Sequence, residues 1–295
     1  MKPTEVIEGL KNLDLNLSTE SDVVGLMHRF PRGGAIITKL HPGSEHNIPN
    51  LFVRASNYNP KNEAITSTDR LKYPPLKFNT GYQRASTPAR PMFYAVVHKS
   101  MGEPDTISAI RTCLLETISD YDSLVSSGTR VAISLRYNID QLKLFSIFEW
   151  DEFKSRNPKM AEVNLAFRET LLQSKPELID NTEIILGYLA ERFSIPVGED
   201  SNLYKPSATL SQYLLDKLSG FGVDGVIFPS TKVNGQELNV ALNPISSDRK
   251  LVVTKVLDCE YKPNRIVEIQ SRANVAYGSK VVNFTEKVNI EIDLK

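Results

Sequence analysis

The chain has 295 residues, 41% hydrophobic and 24% charged, the composition of an ordinary folded protein of one large or two modest domains. Its 35 basic residues balance 35 acidic ones, which removes any bulk electrostatic case for nucleic acid or an anionic membrane surface. Its 17 Pro and 15 Gly fall well short of low complexity, and its two cysteines, Cys113 and Cys259, form no CxxC unit, so no disulfide framework is expected.

In chain order, the first 30 residues read as two short helices, with Ser18 as the N-cap of TESDVVGLMHRF. From Phe30 to Tyr82, Pro, Gly and Asn punctuate the short apolar pieces AIITKL and LFVRA, which predicts strands joined by long loops. The stretch SNYNPKNEAITSTDRLKYPPLKFNTGYQ has no periodicity, and a loop of that length often lies over a site. MFYAVVH reads as a strand, MGEP as a turn, and a helix is expected from near Asp105, whose carboxylate would cap its first turn. On that helix Ile107, Ile110, Leu114 and Ile118 share one face, and Glu116 falls opposite it.

RVAISLRY and LKLFSIF are strand candidates, and residues 151–195 read as helical throughout. A further amphipathic helix, SATLSQYLLDKLSGFG, leads into the apolar strand VIFP and then Ser230. Beyond Leu238 the segments NVALNP, KLVVTKVLDCEY, RIVEIQS and KVVNFTEKVNIEIDL alternate as strands do. Strands and helices without regular βαβ alternation predict an α+β fold.

Several motifs fail on context. Gly220, Gly222 and Gly225 match G-x-G-x-x-G, but they close a helix and open a strand, the reverse of the dinucleotide-binding order; a glycine helix stop and an Asp-Gly turn explain them. No G-x-S-x-G surrounds Ser230, and no G-K-[ST] follows a glycine loop. Glu149, Asp151 and Glu152 have aromatic neighbours and no ligand-loop spacing, so they read as a solvated turn. His28, His41, His46 and His98 lack partners at metal-ligand spacing, and no metal site is expected. No apolar run approaches the ~18 residues of a membrane span, and MKPTEVIEGLKN has no signal-peptide core; the cytoplasm is the expected location.

Four residues remain. Arg54 lies in the strand-like LFVRAS and Arg84 in the glycine-led loop FNTGYQRAS; a guanidinium keeps its charge and offers a rigid fork of donors that suits phosphate or carboxylate. Taken singly, each reads as an ion-paired arginine, Glu116 as a solvent-facing helix residue, and Ser230 as a strand-end hydroxyl.

The ordered set says more. Arg in a strand, GYQRASTPARPMFYAV, LLET in a helix, and YKPSATLSQYLLDKLSGFGVDGVIFPS together resemble the RES-domain family, over about Leu51 to Pro244. The resemblance implies an ADP-ribosyltransferase-like split β-sheet core, NAD⁺ as substrate, and cleavage of its nicotinamide–ribose bond by phosphorolysis or hydrolysis, with inorganic phosphate as the co-substrate in the first case. Family members are typically toxins of toxin–antitoxin pairs, which implies a separate antitoxin protein as partner; protein ADP-ribosyl transfer and non-catalytic nucleotide binding are the alternatives. Carried over, Arg54, Arg84, Glu116 and Ser230 are the catalytic set and Tyr94 the substrate-binding aromatic. Ala55 stands where a tyrosine often follows the first arginine, and nearby Tyr58 is the candidate to replace it.

The organisation expected is an N-terminal extension (1–50), a catalytic core (51–245) with a helical insertion at about 151–200, and a strand-rich tail (246–295) packing on the core. Nicotinamide leaves NAD⁺ as a neutral base and needs no general acid, while positive charge grows on the ribose. Glu116 would stabilise that charge, the arginines would hold the pyrophosphate, an arginine with Ser230 would cradle an attacking phosphate, and Tyr94 would flank the nicotinamide.

Overall fold

The computed structural model describes residues 2–43, 50–99, 103–147, 158–195 and 200–295. Among these are ten strands and eight helices, an α+β arrangement. The strands are β1 Ile37–Leu40, β2 Asn50–Tyr58, β3 Phe93–Lys99, β4 Arg130–Asn138, β5 Leu142–Ser146, β6 Gly225–Pro229, β7 Leu238–Leu242, β8 Leu251–Lys262, β9 Ile266–Asn274 and β10 Glu286–Asp293. The helices are α1 Pro3–Lys11, α2 Glu20–Met27, α3 Glu103–Thr117, α4 Tyr121–Ser126, α5 Pro158–Ser174, α6 Ile179–Ser194, α7 Lys205–Lys217 and α8 Pro244–Lys250. No helix among the described residues is long and apolar enough to cross a membrane.

The sheet order is β1-β5-β6-β7-β3-β2-β4-β8-β9-β10, with only β5 and β6 parallel. The expected division into two sheets is not a break in this ladder but a local splay. β2 pairs with β4 from Leu51 to Tyr58, yet with β3 only from Asn50 to Val53. Beyond Val53 and Val96 the two strands separate, and Arg54 is the first residue of β2 past that point.

One face of the sheet is covered in two blocks. Leu51, Val53 and Ala55 of β2 alternate inward, as a strand's period of two requires, and pack with Ala109, Ile110, Cys113 and Leu114 of α3. On the same face Val226 and Phe228 of β6 and Ala241 of β7 pack under α6 and α7, with Val6, Leu10, Val23 and Met27 of α1 and α2 on top. The helices α1 and α2, expected as part of an extension, thus belong to the main core. Phe52, Phe93, Ala95 and Val97 face the other way into a second cluster. The 246–295 tail continues the same sheet, because β8 pairs with β4 along nine positions from Leu251 to Glu260.

Several local expectations change. α3 begins at Glu103, so Asp105 lies inside the helix and does not precede it as a cap. Thr19, not Ser18, caps α2: its hydroxyl accepts from Asp22 N–H while the Asp22 carboxylate accepts from Thr19 N–H, a reciprocal pair that Ser18 cannot form. Residues 158–195 are two helices joined by a short 3-10 turn at Pro176–Leu178, and 151–157 lie outside the described residues, as do Glu149, Asp151 and Glu152. NPISSDRK forms α8, capped by the Asn243 side chain on Ser246 N–H. The glycines behave as a helix stop: Gly222 has φ +67°, the left-handed geometry glycine permits.

Candidate active site

A cavity of about 550 Å³ opens between the two helical blocks, above the splay of β2 and β3. Ala55, Tyr94, Val96, Phe228 and Asn239 line it from the sheet, Glu116 from α3, and Arg84 and Tyr204 from the loops opposite. Arg54 enters from the splay. Of the residues singled out in sequence, Arg54, Arg84, Tyr94 and Glu116 line this one cavity, and Ser230 reaches it through Glu116.

Glu116 sits one residue from the end of α3. The buried face of that helix centres on Cys113, with Ala109, Ile110, Thr112 and Leu114 around it, while Ile107 is 39% exposed. The apolar face expected from the isoleucines is therefore rotated, and Glu116, one turn after Thr112 and Cys113, lies at its edge instead of opposite it. Its side chain is only 16% exposed. A carboxylate there is disfavoured by burial and by the negative end of the helix dipole. Two donors compensate: Ser230 Oγ at 2.6 Å and Asn239 Nδ2 at 2.7 Å, both to Oε1. Among the described residues no hydrogen bond falls on Oε2, and Arg84 Nη1 stands 4.0 Å from it.

Ser230 and Asn239 are brought to the same oxygen by the β6–β7 hairpin. Ser230 is fully buried, its N–H donates to Glu237 O, and its own carbonyl accepts from Gly235 N–H, which closes the turn. Phe228 pairs with Asn239 across the strands. Gly225 lets the strands approach: a Cβ there would stand 2.1 Å from Ala241 O and 2.8 Å from Leu242 Cα. Asn239 was missed in sequence; its signal was a lone amide inside LNVAL, where a buried polar group demands a partner.

Arg84 is no surface arginine. Nε donates to Phe193 O at 2.8 Å, and Nη2 donates to Ile195 O at 3.1 Å and to Thr231 Oγ1 at 3.3 Å. Phe193 belongs to the last turn of α6, whose carbonyls lack intrahelical donors, so the guanidinium caps that helix and is fixed by it. Its Cζ lies 5.6 Å from the centre of the Tyr204 ring. The segment expected as an insertion therefore holds a site residue in place.

Tyr94 braces the same loop. Its hydroxyl oxygen accepts from Ala85 N–H at 2.9 Å and from Ser86 Oγ at 3.1 Å, and burial pushes its pKa up to about 12. Arg54 is held by carbonyls: Nε donates to Leu71 O at 3.2 Å and Lys72 O at 3.1 Å, and Nη1 to Tyr94 O at 2.9 Å, across the gap where β3 leaves β2. Burial draws its pKa down to about 10. Cys113 also lines the cavity, but burial pushes its thiol up to about 12, so it is a poor nucleophile at neutral pH.

Tyr58 is not at the site. It lies four residues past Arg54 on the same strand, roughly 13 Å on, and its hydroxyl donates to Asp258 Oδ1 at 2.6 Å within a cluster around Val256 and Ala273. It cannot replace the tyrosine that the resemblance leads one to expect at position 55. Ala55 itself forms floor of the cavity.

No protein-family model matches the chain, and no curated protein matches it.

Proposed function

We propose that this protein is an NAD⁺-consuming enzyme of RES type, with an ADP-ribosyltransferase-like core, that breaks the nicotinamide–ribose bond by phosphorolysis or hydrolysis. The observation that carries the reading is the state of Glu116. One oxygen is clamped by Ser230 and Asn239, and the carboxylate borders a cavity flanked by two arginines. At about 550 Å³ the cavity falls in the range of small-molecule sites.

In this reading the nicotinamide ring departs with the electron pair of the glycosidic bond and becomes neutral, so no proton need be donated. Positive charge rises on the ribose ring and its anomeric carbon. A carboxylate already oriented by two hydrogen bonds stabilises that charge without reorganising, and its effect is larger in the transition state than in the ground state. Arg84, immobilised on the end of α6, and Arg54, immobilised on three carbonyls, hold the phosphoryl oxygens in register. Tyr94 offers its ring as a wall for the nicotinamide. Water or phosphate then attacks the anomeric carbon from the face the ring has left.

A toxin role with a separate antitoxin that covers the cavity is part of the same proposal. The test is direct: incubate the purified chain with NAD⁺, with and without inorganic phosphate, and follow nicotinamide. Release with ADP-ribose-1″-phosphate identifies phosphorolysis, and release with free ADP-ribose identifies hydrolysis. A folded protein that releases no nicotinamide in either condition overturns the proposal.

A further inference from the structure

Among the described residues outside those used above, a buried cation adjoins Arg54 behind the cavity. Arg136 of β4 is 3% exposed and is not part of the cavity wall. Its Nη2 donates to Leu71 O at 2.8 Å, the same carbonyl that accepts from Arg54 Nε at 3.2 Å. Its Nε donates to Ser134 Oγ at 3.2 Å. Both guanidiniums lie over the Phe93 ring, with Cζ 4.7 Å from the centroid for Arg136 and 5.3 Å for Arg54.

Among the described residues, neither guanidinium has a carboxylate within 4.0 Å; every hydrogen-bond partner is a neutral oxygen. Asp248, the acid whose charge bears on Arg136, is engaged elsewhere, with Lys72 at 3.1 Å and the Tyr73 hydroxyl at 3.0 Å. Buried charges in proteins are ordinarily paired, because an unpaired one keeps most of its desolvation penalty. Two like charges sharing one carbonyl add mutual repulsion. Burial first, then the charge of Arg54, draws the pKa of Arg136 down to about 9. Carbonyl dipoles and an aromatic face offset this only in part. What would offset the rest is an anion at the one member of the pair that the cavity exposes, Arg54.

We propose that Arg136 is a specificity-determining residue for the cavity: its charge adds to that of Arg54 and makes the Arg54 end a subsite for a multiply charged phosphoryl group. In low-dielectric surroundings a charge one residue removed from the ligand still acts strongly, and its attraction grows with the charge of the anion. The phosphoryl group is either the diphosphate of a dinucleotide or free inorganic phosphate. The inference deepens the proposed function and rests on it for the identity of the anion as part of the substrate; anion binding itself is read without turnover.

The experiment is calorimetric titration of the purified chain with pyrophosphate and, separately, inorganic phosphate, at fixed ionic strength, together with thermal melts. For Arg136→Met we expect a folded protein that melts no lower than the native one. Its pyrophosphate Kd should rise about tenfold or more, while Arg136→Lys stays within about threefold. A merely structural role for Arg136 would instead lower the melting temperature and leave affinity in the folded fraction unchanged. Weakening of the pyrophosphate arm alone identifies the dinucleotide diphosphate; weakening of the phosphate arm alone identifies the free anion. If Arg136→Met does not fold, Arg136→Gln, which keeps a donor without the charge, takes the same reading. A folded neutral variant that binds both anions within twofold of native overturns the inference, as does a native protein whose melt neither pyrophosphate nor inorganic phosphate raises. Neither readout requires NAD⁺ cleavage, so failure of the enzymatic proposal and failure of this one are separate results.

Discussion

Ser230 Oγ donates to Glu116 Oε1 across 2.6 Å, joining a hairpin turn to the end of a helix 114 positions earlier in the chain. If the carboxylate stabilises a cationic sugar, Glu116→Gln, which keeps the shape and removes the charge, should lower the rate of nicotinamide release by about a hundredfold to a thousandfold. Ser230→Ala removes one of two donors and should cost less, about tenfold. Because both act through one oxygen, the double variant should be no slower than Glu116→Gln alone. Steady-state rates on variants with native melting curves decide this.

Asn239 holds the same oxygen at 2.7 Å and is buried. Asn239→Ala leaves Glu116 with one donor and more freedom to turn, so kcat should fall about tenfold while KM changes little. A loss confined to KM would mean that Asn239 touches substrate instead of orienting Glu116.

The two thiols make a clean chemical probe. Both are free and buried, and burial raises both pKa values, that of Cys113 to about 12. A thiol whose folded-state pKa is raised stays neutral until pH climbs towards that value; at pH 8 the thiolate fraction of Cys113 is about one in ten thousand. Iodoacetamide should therefore leave the native protein unlabelled at pH 8 and label both cysteines in denaturant, read by intact mass. Rapid labelling of native Cys113 would show that its place in the cavity wall is open to water and polar, against the burial that holds its thiol neutral.

Gly225 is the close approach of β6 to β7. A methyl group there meets backbone atoms, which cannot rotate away. Gly225→Ala should destabilise the fold by about 3 kcal/mol or more and displace the hairpin that carries Ser230 and Asn239. A denaturant midpoint near the native one would contradict the close packing.

Much of the fold was readable from local patterning. LFVRAS, MFYAVV, RVAISLRY and VIFP are apolar enough and short enough to be strands, and each is one. The helix-stop reading of Gly222 held because a positive φ is a local property. Local patterning misled where neighbours in space decide. Ile107 looked inward and is exposed, since the strands beneath α3 present their small and β-branched side chains to Ala109, Ile110 and Cys113 instead. Glu116 consequently moved from the solvent side to the edge of the buried face. The segment 151–200 looked like an addition, yet the end of α6 fixes Arg84, a contact across 109 positions.

What the sequence determined alone is the α+β class, the absence of a bulk electrostatic bias, and the order in which the candidate residues follow one another. Those follow from composition, periodicity and residue order, which are carried by neighbouring residues along the chain. Only the tertiary structure decided that Arg54, Arg84, Tyr94 and Glu116 border one cavity, that Tyr58 lies outside it, and that Asn239 and Arg136 belong beside it. The reason is physical: burial, strand splay and the pairing of a buried charge are set by long-range packing, and no short stretch of chain contains both partners.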